Sequence, residues 1–556
     1  MIHFGFKSDA SFVNTHSLRN AKKGFICPAF KTVRTGKGFD STAFFAKLSD
    51  YGRKENCILF ESADIVKKYG EHSIGSSAPC LKVSGRNEKF EILALNETGE
   101  RFLRHLKGKL GFCDSVKYAK TRISGSLTPQ SLGVSEEERL RLKTHADILR
   151  TVAFALKPTE TRLNFPAFAG LFGSISYDFI GQFEVLPKNK SDPLKDPDYE
   201  LFFLDNLFHF DHAKKALTLI ASALLFEGTK RELESEMARC LEKISEMEAA
   251  LALPVPKKHA FKKPAAKPQN VFTDCGKNDF VKIVEKCKEN ILEGDVFQIV
   301  PSRTNIVPYY AEPLDIYSEL KKLNPSPYMF FINAKSGILL GSSPETFLRV
   351  QNNGKPNEKT VEIRPIAGTR QRGKTDAGDA ALEKELLSDE KELAEHTMLI
   401  DLARNDVARV SIPGTRHVER PYHVEKYSHV QHIVSNILGT LRPEFDCLHA
   451  YLASMNMGTL TGAPKVKAME LLRCYEKTKR GFYGGSVAYI TPSGELDSAI
   501  VIRSARLKNG KAFVRAGAGI VFDSVPEKEF EETERKARAC LKAIESANKK
   551  SKAAGK

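Results

Sequence analysis

Nowhere in the 556 residues does an apolar run approach the roughly 18 uncharged residues of a membrane-crossing helix. No transmembrane segment is therefore expected. The opening MIHFGFKSDASF lacks the basic-then-apolar layout of a secretion signal. Ten cysteines are scattered without one C-x-x-C pair, which argues against a zinc site and against a disulfide frame. Reduced, packed thiols in the cytoplasm are the expectation. The formal charge of +16 comes without interleaved aromatics and without a finger or RNP-type motif. No nucleic-acid binding is expected; an anionic small substrate or an acidic partner suits such a surface as well. No internal repeat is visible.

What is present is a globular composition, 41% hydrophobic and 28% charged, in a chain too long for one core. A Pro- and Lys-rich stretch sets the boundaries: an N-terminal domain over 1–255, a linker over 256–270, a second domain over 271–548 and a basic tail over 549–556. Strand-like runs with helices between them indicate an α+β fold with large antiparallel sheets. GGSVAYIT, AIVIRSARLK and AFVRAGAGIVF are ordered like a meander.

The stretch Lys391 to Asp406, KELAEHTMLIDLARND, reads as one helix without Gly or Pro. Glu392 and Glu395 share one face, and apolar residues occur at nearly every other angle, the pattern of a buried helix. Near the far end, PEKEFEETERKA repeats the spacing with Glu529 and Glu532. Two acidic pairs on two helices could hold a hard cation such as magnesium. Spacing alone favours two solvated acidic faces, because such pairs are common on surfaces.

From GDVFQIVPSR through GSSPETFLRV, PIAGTR, SHVQHIVSN, GTLTGAPKVKAMELL, GFYGGSVAYI, RAGAGIV and SVPEKEFEETERKA, residues 290–540 resemble the chorismate-utilising enzyme family. Within it the chain is most similar to the anthranilate synthase large subunits (component I). The first half fits more loosely, through LFES and GLFGSISYD. The resemblance implies large antiparallel sheets packed as an orthogonal β-sandwich flanked by helices. It implies Mg2+ ligated by Glu395 and Glu532 with Glu392 and Glu529 in support. It implies chorismate contacts at Gly368, Thr369, Tyr483, Arg503, Gly517, Ala518 and Gly519. Glu345 is implied as the acid for the leaving hydroxyl, and His432 as the group that orients the substrate or takes a ring proton. Lys465 could support the pocket or be a surface lysine.

Two positions select within the family. Members that form aminodeoxychorismate carry a nucleophilic Lys in PIKGT, where this chain has Ala367. Members that add water carry a Lys base where Gln298 stands, and an amide is a poor base. Ammonia as nucleophile and anthranilate as product follow by resemblance. No glutamine-amidotransferase segment follows residue 545. A separate glutamine amidotransferase subunit (component II) is therefore implied, in a heterotetramer of two large and two small subunits. LFES at 59–62 with Ser73, and NPSPYMF at 324–330, match the family's tryptophan feedback signature. Ser62, Pro327, Tyr328 and Met329 would hold L-tryptophan. The alternatives are a sister chorismate activity or a catalytically inactive homologue that senses a ligand or binds nucleic acid.

Overall fold

Runs such as GLFGSI, YELFFL and ALTLIASALL are apolar almost throughout, and they form strands buried along nearly their whole length. A strand covered on both faces needs that composition. The structure, a computed structural model, describes residue 15 and residues 22–36, 38–63, 72–129, 134–163, 165–258, 272–355, 358–427 and 430–554. Most of the segment expected as a linker lies outside the described residues.

Among the described residues the strands assemble into two large sheets, of 12 and 13 strands. Nearly every pairing is antiparallel; the parallel exception joins Phe25–Arg34 to Lys157–Pro158 at an edge. A large apolar core lies between the sheets, taking Ile58 and Ile332 from the first and Val83, Phe172 and Val487 from the second. The other face of the 12-stranded sheet is covered by helices Ser41–Leu48, Lys230–Ala252, Pro313–Leu323 and Pro526–Ala554. This is the α+β arrangement of large antiparallel sheets and flanking helices that the sequence led us to expect.

Both sheets cross from one half of the sequence into the other. In the first, Cys57–Glu61 pairs with Tyr328–Ala334. In the second, Gly170–Ile175 pairs with Ser486–Ile490. The last helix runs on to Ala554, through most of the segment expected as a tail. No helix among the described residues is long and apolar enough to cross a membrane.

One expectation needs correction. AIVIRSARLK is not one strand of a meander. It divides into Leu496–Ile500, in the 13-stranded sheet, and Ser504–Lys508, in the 12-stranded sheet. Arg503 sits at the corner with φ +49°. A strand that switches sheets must bend sharply, and a non-glycine residue in the left-handed region marks where this one does.

Candidate active site

A cavity of about 630 Å3 opens where that corner meets the helices Glu390–Ala408 and Pro526–Ala554. Asp389 caps the first helix, its carboxylate accepting from the amides of Lys391 and Glu392. The face carrying His396, Leu399, Ile400, Ala403 and Val407 is buried, but Ala394 is exposed, so the helix is not apolar-covered all round. Glu392 and Glu395 line the cavity from this helix, and Glu529 and Glu532 from the other.

These carboxylates differ in state. Burial pushes the Glu395 carboxyl up, against a hydrogen bond from Gln298 Nε2 at 3.0 Å; the nearby charge of Glu392 adds to the rise. Burial likewise raises Glu529, with Glu532 contributing. Burial works upward on Glu532 too, but the Lys536 ammonium at 2.6 Å outweighs it and holds the group below its usual range. Among the described residues no three His, Cys, Asp or Glu side chains are gathered into a ready-made metal cluster. A hard cation that keeps several waters and takes only one or two carboxylates needs no such cluster. Four acids sharing one cavity, two of them raised, suit it.

Glu345 stands between strands Gly337–Ser343 and Thr346–Asn352 and is 8% exposed. Its amide donates to Ser343 Oγ, and its carbonyl accepts from Ile500 N. Burial raises its carboxyl to about 7, against the cations Arg503 and Lys536. It is thus a carboxylic acid able to give a proton near neutrality. The Arg503 guanidinium also lines the cavity, and among the described residues it makes no ion pair or hydrogen bond. An unmatched cation at the foot of a polar cavity is a site for an anionic ligand.

His432, on strand Val430–Thr440, lies 2.9 Å from the Gly368 carbonyl and 3.1 Å from Thr369 Oγ1, both through Nδ1. A carbonyl only accepts, so the proton sits on Nδ1 and Nε2 is left as the acceptor. Burial lowers this imidazole's pKa, which keeps it neutral. Gly368 has φ +66°, and a Cβ there would meet Leu386 Cδ1 at 2.9 Å and Glu392 Oε2 at 3.2 Å. Across the cavity a Cβ on Gly519 would stand 2.9 Å from Gln298 Nε2. Gln298 is 3% exposed, and its Oε1 has no partner among the described residues.

The cavity gathers Glu345, Gly368, Thr369, Glu392, Glu395, His432, Tyr483, Arg503, Gly517, Gly519, Glu529 and Glu532. Ala518 does not join them. Its N–H donates to the Pro301 carbonyl at 3.2 Å, and its methyl packs with Phe280 and Leu472. Alternation along the strand turns it away while its neighbours face in. Lys465 is also elsewhere: it pairs with Asp406 at 2.6 Å and donates to Ser454 O. Lys536 was missed from the sequence. It bridges Glu532 and the Gly517 carbonyl, the latter at 3.1 Å. Its i+4 position from Glu532 was the available signal.

The two halves of the feedback signature meet across the Cys57–Glu61 and Tyr328–Ala334 pairing, where Met329 opposes Glu61. Ser62 is buried, and its Oγ has no partner among the described residues. Pro327, immediately before Tyr328, is buried as well. Tyr328 and Met329 leave on opposite faces of the strand. Tyr328 Oη meets Thr346 and Arg349, while Met329 packs against the helix layer.

Comparison with known proteins shows the family of the chain. The family model described as chorismate binding enzyme matches residues 115–542. The protein named anthranilate synthase component 1 of Vibrio cholerae is 38% identical over 512 residues, covering 91% of this chain and 94% of that one. Its namesake in Buchnera aphidicola subsp. Pemphigus spyrothecae is 40% identical over 517 residues, with the same coverage. The crystal structure of anthranilate synthase component I from Streptococcus pneumoniae superposes with a TM-score of 0.66 at 29% identity, over 85% of this chain and 92% of that one.

Proposed function

The chain belongs to the chorismate-binding enzyme family and is an enzyme acting on chorismate, and from that premise we propose that it is the large subunit of an anthranilate synthase, which aminates chorismate with ammonia. Glu395 and Glu532 would hold magnesium, with Glu392 and Glu529 reaching it through water. The ion would neutralise the ring carboxylate and withdraw electrons from the ring. Arg503 binds a substrate carboxylate. Ammonia adds to the ring as the hydroxyl leaves, and Glu345 supplies the proton that makes it water. His432 Nε2 then takes a ring proton as the ring C–O bond to the enolpyruvyl group breaks; the departing enolpyruvate gains a proton on its methylene carbon to become pyruvate, and the aromatised ring is anthranilate. Tyr483 and the glycines Gly368, Gly517 and Gly519 shape the floor against which the ring lies.

The observation that supports ammonia as nucleophile is Gln298. An amide, held to Glu395 and buried in the cavity, offers no base for water, and Ala367 offers no amine for covalent attack. Ammonia would come from a glutamine amidotransferase subunit in an assembly of two large and two small chains. L-Tryptophan would inhibit from Ser62, Pro327, Tyr328 and Met329, opposing chorismate reciprocally. The N-terminal half would thus regulate and the C-terminal half catalyse.

The test is anthranilate fluorescence on mixing the purified chain with chorismate, magnesium and ammonium, with and without tryptophan. Anthranilate that tryptophan suppresses supports catalysis and feedback together. Unsuppressed anthranilate removes the feedback site, and a different chorismate product removes the amination.

A further inference from the structure

Arg370 follows Gly368 and Thr369 on the strand Ile366–Gln371, and the reaction described above gives it no part. Its guanidinium donates to four acceptors. Nε reaches Glu385 Oε1 at 2.9 Å, and Nη2 reaches Asp389 Oδ2 at 2.7 Å. Nη1 reaches the Thr369 carbonyl at 3.1 Å and Glu392 Oε1 at 3.3 Å.

Two of these acceptors bear on the cavity. Asp389 is the N-cap of the helix carrying Glu392 and Glu395. Its Oδ1 takes the amides of Lys391 and Glu392, and its other oxygen takes Arg370. Glu392 is held through Oε1, which leaves Oε2 against Gly368, within 3.2 Å of where a Cβ there would stand. One cation thus fixes both the start of the helix and the orientation of its first cavity-lining carboxylate. Without it, repulsion from Glu395, Glu529 and Glu532 would favour Glu392 turned away from the cavity. The same strand carries the Gly368 carbonyl that orients His432.

We infer that Arg370 is a positioning residue for the metal site: it holds Glu392 Oε2 toward the cavity and ties the acidic helix to the strand that contacts substrate. This rests on the magnesium reading proposed above. Side chains that orient a metal's ligands from outside its coordination sphere typically cost 10–100-fold in affinity when removed.

The experiment is a Mn2+ titration followed by EPR, with chorismate present and ammonium left out so that no amination occurs. Wild type, R370Q, R370K and E385Q are compared, with thermal melts in parallel. R370Q is expected to weaken Mn2+ about tenfold or more. R370K should recover part of that, because one ammonium cannot hold Asp389 and Glu392 as a fork does. E385Q, which alters an exposed outer partner, should bind as wild type. In turnover, the magnesium concentration for half-maximal rate should rise in R370Q while kcat at saturation changes little. Wild-type Mn2+ affinity in a folded R370Q overturns the inference. If R370Q does not fold, wild-type affinity in R370K overturns it. Absence of Mn2+ binding to wild type removes the magnesium reading and this inference with it.

Discussion

Two clusters of buried charge lie side by side in this molecule, and they are built on opposite terms. In one, Glu476 accepts from Ser302 N at 2.9 Å, Ser302 Oγ at 2.7 Å, Arg480 Nη2 at 2.6 Å and Arg515 Nη2 at 2.9 Å. Arg480 spends its remaining donors on the carbonyls of Leu460 and Val300, and Arg515 on Ser302, Thr478 and Lys479. In the other, the cavity, the Arg503 guanidinium forms no ion pair or hydrogen bond among the described residues, Glu345 is lifted to about 7, and Gln298 Oε1 is unmatched. Leu460 and Val300 line the cavity and also close the Glu476 network. A satisfied buried network fixes one conformation. Groups left unmatched next to it keep their interaction energy for what binds there.

That contrast can be broken from either side. Glu345→Gln, which keeps the shape and removes the proton, should lower kcat by roughly 10²–10⁴ in the fluorescence assay while the melting temperature does not fall. Glu476→Gln should do the reverse. It leaves two guanidinium groups short of their charge and should cost about 3–5 kcal/mol in urea unfolding, as breaking a buried pair does.

The pH dependence sharpens the contrast. Burial alone would raise Glu476, but Arg480 and Arg515 hold it low, so its contribution is in place above about pH 4.5 and is lost as pH falls through the lowered folded value. Glu345 has the opposite sign. Its folded pKa is raised, so ionisation penalises the folded state increasingly as pH rises from about 4.5 to about 7. Glu345→Gln should therefore be more stable than wild type at pH 8, by about 1–3 kcal/mol, and not at pH 4. The smallest effect expected is at Gly519. Its Cβ would crowd Gln298 Nε2, so Gly519→Ala should loosen the bond to Glu395 and lower kcat/KM for ammonia by roughly 3–10-fold.

Local pattern made much of this legible. The acidic helix was expected over 391–406 and spans Glu390–Ala408, because its residues are helix formers and Asp389 is a ready cap. The motif residues converge on one cavity, Ala518 excepted. The pairing of strands between the halves was not legible, since contacts across more than two hundred residues leave no local periodicity. Arg503 reads as a charge within an apolar strand because no glycine or proline in AIVIRSARLK marks a bend. The bend is imposed by two sheets competing for its ends. Nothing in the sequence singles out Arg370, because an arginine beside a turn is usually solvated and its carboxylate acceptors, Glu385, Asp389 and Glu392, lie 15 to 22 residues away.

The seams by which both sheets join the halves also set a timetable. During synthesis, the strand Cys57–Glu61 leaves the ribosome long before its partner Tyr328–Ala334 exists. At about 5–20 residues per second that edge waits on the order of tens of seconds. The strand Gly170–Ile175 likewise waits for Ser486–Ile490, more than three hundred residues later. For that interval the nascent chain carries two open sheet edges rich in Phe, Ile and Leu, the kind of surface that recruits a neighbour's strand. A cell making this protein must shelter the first edge until Tyr328–Ala334 is made and the second until Ser486–Ile490 is made, and a stop codon between the two leaves the second exposed.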